Sequence, residues 1–277
     1  MTPNGDGPAA PAWVEQARRR ALQHMPPTRL ALLLQDEPIG SVAPGVLDEI
    51  SLWPTYCKGL QLSKTQHAGR SAWRLCAANA SAALNALALA LRHVGRCGPW
   101  RGEQVAVHAA DGRRLASIER GALRVLGIAT QAVHLVGETP GGDWLWLQQR
   151  AASKATYPLA WDTLVGGMVA DGDDVPGALA RETAEEAGLA LAQLQGLRPG
   201  GVLALAHPCD DGGPGCGWVA ERVWWFRATL PQDLQPCNQD GEVHAFECLP
   251  GAEVRARLAT GAFTPEAALV LAAWHGW

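Results

Sequence analysis

Gly167 to Leu189 read GMVADGDDVPGALARETAEEAGL, and this stretch decides the fold. Asp173 and Asp174 are residues that cap helix starts, Pro176 suits a first turn, and Gly188 suits a C-terminal cap. Between those ends Val175, Ala178 and Leu179 recur at helical spacing and predict one apolar stripe. One turn further on, the same stripe becomes Glu182, Glu185 and Glu186. Like charges at this spacing destabilise a helix, and burying them unpaired costs far more. A bound cation removes the conflict. Hard divalent ions prefer oxygen ligands, and Mg²⁺ usually sits between one or two carboxylates and substrate phosphates. A solvated acidic helix face is the bland alternative. It requires neither Gly167 fourteen residues before Arg181 nor Gly188 after the last carboxylate.

Outward from that helix, composition sets bounds. At 277 residues, 48% hydrophobic and 18% charged, the chain has material for one large or two ordinary globular domains. A net charge of −4 gives no reason to expect nucleic-acid binding. Cys57, Cys76, Cys97, Cys209, Cys216, Cys237 and Cys248 make an odd count without a CxxC pair. The first residues lack the basic and apolar regions of a signal peptide, so reduced thiols and a cytoplasmic protein are expected. His207, Cys209 and Cys216 lack a fourth well-spaced ligand and read as a loop rather than a zinc site. ALNALALAL is too short to span a membrane.

Residues 1–12, rich in Pro and Gly, read as disordered. Trp13–His24 reads as a helix, Arg29–Gln35 as a strand with a second short one after it, and Pro44–Ile50 as a short helix. Tyr56–Arg70 has no clear pattern, and its Lys58, Lys64, His67 and Arg70 are expected to face solvent. Ser71–Val94 is expected to form one Ala/Leu-rich helix. AADGRR marks a hairpin between strands 104–109 and 114–118. Glu119–Leu126 reads as a helix, ended by Gly127. Strands are then expected at 132–136, 144–148, 200–206, 219–229 and 241–248, with helices at 252–258 and 265–274. Period-2 alternation puts Trp224 and Phe226 on one strand face and Trp225 on the other. Such a mixture predicts an α/β sandwich with a mixed sheet, helices on both faces, at 128–277. A smaller α+β domain is expected before it, at 1–127.

The spacing of Gly167, Arg181, Glu182, Glu185, Glu186, Gly188 and Leu189 resembles the Nudix box, G-x5-E-x7-R-E-U-x-E-E-x-G-U with U bulky and apolar. Asp173 stands where the pattern has Glu, and Thr183 at its first apolar position. WRGEQVAV (100–107), IERGALRVLGI (118–128), AVHLVG (132–137), KATYPLAWDTLVGGMVADG (154–172) and NQDGEVHAFECLP (238–250) extend the likeness. They are similar to a Nudix subgroup related to the N-terminal part of fungal thiamine pyrophosphokinases. Thr264 and Glu266 depart from the Lys and Asn usual there.

The resemblance implies a Nudix α/β/α sandwich and hydrolysis of a small-molecule diphosphate with Mg²⁺ or Mn²⁺. For the subgroup it implies thiamine diphosphate or its oxidised analogues, cut to the monophosphate. Glu182, Glu185 and Glu186 are assigned as metal ligands, and one of them or a carboxylate from another loop takes the water's proton. Glu242 is the first candidate for such a distant base, Glu221 the second and Asp240 the third. Arg181 is expected to hold a glutamate in place. Gly166 and Gly167 either bring backbone close to the site or make a tight turn. Trp161 and Tyr157 either stack on the substrate or pack in the core, with Trp224 and Trp225 as further stacking candidates. Lys154 either reaches a phosphate or is solvated. ADP-ribose or another nucleoside diphosphate derivative is the alternative substrate, and a non-catalytic binding module the alternative class. An isopentenyl diphosphate isomerase shares the fold, but its reactive Cys and Glu are not placed by this sequence. No membrane partner is expected, and a homodimer is left open.

Overall fold

The computed structural model describes residues 9–51 and 61–277, and every structural statement here concerns those residues. Cys57 and Lys58 lie outside them, as do the first eight residues of the stretch expected to be disordered.

After helix α1 (Ala12–Ala21), the apolar run β1 (Leu30–Leu34) turns into β2 (Glu37–Val42) as an antiparallel hairpin. The short helix α2 (Val46–Ser51) follows. β3 (Gln61–His67) pairs antiparallel with β4 (Arg70–Cys76) through a turn in which Ala68 and Gly69 both have positive φ. β4 lies parallel to β1, giving the sheet order β2-β1-β4-β3. Lys64, His67 and Arg70 are exposed as expected.

The single helix expected over 71–94 is two elements. Ala72, Trp73 and Leu75 of β4 are buried, and the strand pairs on both edges, so tertiary pairing overrides the helix propensity of Ala and Leu. Helix α3 (Ala80–His93) begins only at Asn79, whose side chain accepts a hydrogen bond from Ala82 N. It packs on β6 of the hairpin β5 (Gln104–His108) and β6 (Arg114–Glu119). The helix expected at 119–126 is a 3₁₀ turn, Arg120–Ala122, followed by further turns.

The second half is built on a mixed seven-stranded sheet. β7 (Thr130–Glu138), β8 (Trp144–Arg150), β9 (Trp161–Asp162) and β10 (Val165–Met168) precede helix α4 (Val175–Ala187). β11 (Gln195–Cys209), β12 (Gly217–Thr229), β13 (Val243–Pro250), α5 (Gly251–Ala259) and α6 (Pro265–Trp274) follow. The order is β11-β12-β7-β8-β13, with β10 on β7 and β9 on β8. β12 and β7 run parallel and the other pairs antiparallel. α4 covers one face, where Ala178 and Leu179 meet Val133, Leu135 and Val165. α5 and α6 cover the other, where Val254, Leu258, Val270 and Leu271 meet Val136, Leu145 and Leu147. Trp224 and Phe226 face the α4 side and Trp225 the other, following the strand's alternation. The fold is therefore α/β with helices on both sheet faces, preceded by a second sheet.

A separate core gathers Leu32, Leu47, Leu84, Leu87, Ile118 and Leu126 from the first half. α1 does not join it. This helix packs on α6 and β11, with Gln23 N donating to Ala206 O at 2.6 Å and Arg18 donating to the Trp277 carbonyl.

Candidate active site

α4 starts where Asp174 Oδ1 accepts from Gly177 N at 2.8 Å, with Pro176 in the first turn. It ends at Gly188, whose φ of 65° is a left-handed conformation that glycine adopts without a Cβ penalty. Thr183, in an apolar slot, is fully buried, and its hydroxyl donates back to Leu179 O at 2.6 Å, so its polarity is satisfied within the helix.

Arg181 is the local organiser. Its Nε donates to Asp173 at 2.9 Å, its Nη1 to Glu182 and Glu185 at 2.9 Å each, and its Nη2 to Met168 O at 3.1 Å. These carboxylates hold the guanidinium charged against the burial that opposes it. The Glu182 carboxyl lies flat on Gly167, where any Cβ would occupy the same space. Burial raises the Glu182 pKa, Arg181 pulls it back, and Glu185 adds repulsion.

Glu186 differs from both. It is 2% exposed, and its hydrogen-bond donors, Gly166 N at 2.9 Å and Gln148 Nε2 at 3.0 Å, are neutral. Burial pushes its carboxyl up to about 8; the Gly166 bond opposes this, and Glu182 and Asp162 add to it. Close by, Lys154 and Glu242 form an ion pair. Burial lowers the Lys154 pKa, and the negative charge of Glu186 works against that.

These groups adjoin a cavity of about 560 Å³ whose wall includes Gly166 and Gly167. Arg120, Arg124 and Arg150 bring positive charge to it, and Asp162, Glu221 and Glu266 negative charge. Arg150 Nη1 lies 3.7 Å from Asp162. His134 Nδ1 is 2.8 Å from Thr163 Oγ1, which itself donates to Val165 O. Glu221 is buried and accepts from Thr130 Oγ1 at 2.8 Å. Burial works against the charge on Arg124, and Glu221, Asp211 and Glu266 more than restore it. Glu266 is raised by burial and by Glu221 beside it. The departures at Thr264 and Glu266 thus fall on the cavity wall.

A NUDIX domain family model matches residues 128–269. The chain belongs to the Nudix family. Members of this family generally use divalent metal ions. The chain is similar to Nudix hydrolase 24, chloroplastic, of Arabidopsis thaliana, 35% identical over 140 residues. That match covers 50% of this chain and 37% of the relative, so the chain spans little more than a third of the relative's length. It is also similar to an isopentenyl-diphosphate Delta-isomerase of Nocardia farcinica, 36% identical over 127 residues, 45% of this chain and 67% of that protein. A solved structure from Deinococcus radiodurans shares 22% identity with a TM-score of 0.46, covering 61% of this chain and 97% of that one. A likeness this distant says nothing about substrate.

Within the Nudix box, Glu182 and Glu186 point inward as expected, but Glu185 does not. Its side chain is 49% exposed because Arg181 draws it along the helix surface. Among the described residues no three acidic, His or Cys side chains are gathered as a metal cage. Two of the three box glutamates are engaged by Arg181. The donor set nevertheless suits a hard cation: all oxygen, on successive turns, with one carboxyl buried among neutral partners.

Of the two places open to Trp161, the structure puts it in the core, 9% exposed, with the Arg257 guanidinium 4.6 Å over its ring. Trp224 and Trp225 are likewise packed between sheet and helices, away from the cavity. Tyr157 remains on the cavity wall. Lys154 is mostly buried and paired rather than solvated, and the same pair places Glu242. Asp240 lies near Lys154. The arginines of the wall were not singled out by the sequence. Arg120 and Arg124 sit four apart in IERGALRVLGI, a segment that marks the resemblance without revealing which side chains face the cavity. No helix among the described residues is long and apolar enough to cross a membrane.

Proposed function

We propose that this Nudix domain hydrolyses a diphosphate linkage in a small molecule, with Mg²⁺ or Mn²⁺ held by Glu182, Glu185 and Glu186. The observation that carries the reading is Glu186: a buried carboxyl with neutral partners, beside Glu182, next to an arginine-lined cavity. When bound, a divalent ion neutralises the diphosphate and activates an attacking water. Arg181 fixes Glu182 and Glu185, and Gly167 lets the Glu182 carboxyl lie against the backbone. Arg120, Arg124 and Arg150 supply charge for the phosphates, Arg as the planar donor that matches them. Glu242, held by Lys154 near Glu186, is our first assignment for the proton acceptor, and Glu221 on the cavity wall the second.

For the substrate we carry forward thiamine diphosphate or its oxidised analogues, cut to the monophosphate, on the strength of the extended resemblance from Trp100 to Pro250. A pocket preferring the oxidised, uncharged ring is expected to lack an anionic clamp. Glu221, Glu266 and Asp162 on this wall favour the intact, cationic ring. We also propose a division of the chain near Ile128, where the first-half core gives way to the sheet cores, with α1 seated on the second unit.

One observation favours a second reading. Cys209 and Glu221 line the same cavity, the thiol and carboxylate pairing that an isomerase of isopentenyl diphosphate calls for. The products separate the two. The test is turnover of a panel holding thiamine diphosphate, its oxo- and oxy-forms, ADP-ribose, nucleotides and isopentenyl diphosphate, with Mg²⁺ and with excess chelator. Monophosphate release that chelation abolishes and Mg²⁺ restores supports the hydrolase. Full activity in chelator overturns the metal assignment, and a rearranged diphosphate establishes the isomerase. Absence of any turnover leaves a binding module. A tenfold advantage in kcat/KM for ADP-ribose or a nucleotide removes the thiamine reading alone.

A further inference from the structure

We propose that the cavity has a second chamber, walled by α1, that takes a planar apolar ring carried on the non-phosphoryl half of the substrate. The proposal rests on the hydrolase reading and names the class of leaving group that site accepts.

A second cavity of about 630 Å³ shares Tyr157, His207 and Glu266 with the one beside the box helix. The two therefore meet at a common wall. Either volume lies within the range of small-molecule sites. Their chemistry differs sharply. The first carries three arginines and several carboxylates, as a diphosphate and its cation demand. The second is lined chiefly by apolar side chains such as Trp13, Leu205, Phe263 and Leu269, with Arg20 and Glu266 among its few charged ones. A charged chamber adjoining an apolar one across Tyr157, His207 and Glu266 matches a molecule that is anionic at one end and apolar at the other.

Two features make this a built wall. Trp13 and Ala17 come from α1, outside the residues the Nudix family model matches. Trp13 meets the Trp277 ring edge-on, with centroids 6.1 Å apart at 83°, and the Leu22–Ala206 bridge fixes the end of the helix. Tyr157, common to both chambers, has φ of +49°, and Leu159 in the same loop has φ of +60°. Non-glycine residues held in this region concentrate at ligand clamps and active sites. Of the aromatic lining residues, Trp13 and Tyr157 keep accessible surface, and stacked or edge-on contact with them favours a ring over a flexible chain.

The test uses the full chain with Mg²⁺ and three probes: methyl, hexyl and 2-naphthylmethyl diphosphate. The expected result is kcat/KM for the naphthylmethyl ester at least tenfold above the methyl ester, and above the hexyl ester. Ala17→Trp fills the chamber from α1 and is expected to bring the naphthylmethyl-to-methyl ratio close to one. Gln16→Trp, an exposed position on the same wall, serves if Ala17→Trp does not fold, as judged by thermal denaturation. A wild-type ratio near one, a preference for the hexyl ester, or a ratio that a folded filling variant leaves unchanged overturns the proposal. If none of the three esters is hydrolysed, the substrate panel above decides the hydrolase reading, and calorimetry reads the chamber alone. Tenfold tighter binding of 2-naphthylmethyl phosphate than of methyl phosphate upholds it, and equal affinity overturns it.

Discussion

Helices α3 and α4 are nearly equal in length, 14 and 13 residues, and each lies on a sheet, yet they spend their inner faces differently. α3 buries Leu84, Leu87 and Leu91 completely, each contributing about 1.5–3 kcal/mol of transfer free energy. α4 buries Ala178, Leu179 and Ala187 and then places Glu186 where another leucine would fit. Desolvating that carboxyl opposes folding and serves chemistry. One helix stabilises its layer, and the other gives up packing to hold a charge beside a cavity.

The largest expected effect breaks this contrast on α4. Glu186→Gln keeps the shape and removes the charge, and the rate is expected to fall about a hundredfold or more, near 3 kcal/mol of barrier. Stability is expected to move the other way. A carboxyl whose folded pKa is about 8 loses stabilisation progressively as pH rises from its ordinary value near 4.5 towards 8. The metal-free variant at pH 8 is therefore expected to melt no lower than the parent, as calorimetry would read. A large drop in Tm with activity retained would make α4 a structural helix like α3.

Leu84→Ala on α3 is the mirror experiment. It leaves a cavity in a fully buried site and is expected to cost about 2–5 kcal/mol in denaturant unfolding, with kcat per folded molecule nearly unchanged. A strong loss of kcat would couple the first-half core to the catalytic site and erase the division of labour.

Asp173→Asn sharpens the view of α4's outer rim. Asp173 is one of several acceptors for Arg181, so Glu182 and Glu185 are expected to keep the guanidinium in place, and the rate to fall less than tenfold in steady-state assays. An effect as large as that of Glu186→Gln would place Asp173 among the essential carboxylates.

The smallest effect concerns α6. Burial, with Arg255 adding to it, lowers the His275 pKa from 6.5 to about 4. A histidine depressed in the fold contributes fully above pH 6.5, and that contribution is lost as pH falls towards 4. His275→Phe is therefore expected to flatten the decline of Tm between pH 6.5 and 4. An unchanged slope would assign the decline to other groups.

Sequence reached the elements whose signals are local. Asp174, Pro176 and Gly188 bound α4 through their own backbone chemistry, and the alternation of Trp224, Trp225 and Phe226 set the faces of β12. It failed where partners distant in the chain decide. Pairing with β1 and β3 turns residues 70–76 into a strand, despite their continuity with the Ala/Leu run of α3. Glu185 departs from its inward expectation for a local reason instead: Arg181, one turn before it on the same helix, draws it out. For Trp161 the spacing leaves two places open, and Arg257 with the α5–α6 layer decides for the core. Arg120, Arg124 and Arg150 converge on the cavity only through the fold, since no spacing links the first two to the third.

The seating of α1 also bears on the order in which the protein assembles. During synthesis α1 leaves the ribosome about 240 residues before α6, its packing partner, begins to follow. Contacts so far apart in sequence are slow to close, because the chain entropy is lost before the contacts compensate it. The apolar side of α1 must wait, exposed or in chaperone hands, while the sheets form. The apolar wall of the cavity is thus among the last parts of the molecule to be completed, and a nascent chain can carry a finished Nudix box before it has the pocket that chooses what the box will cut.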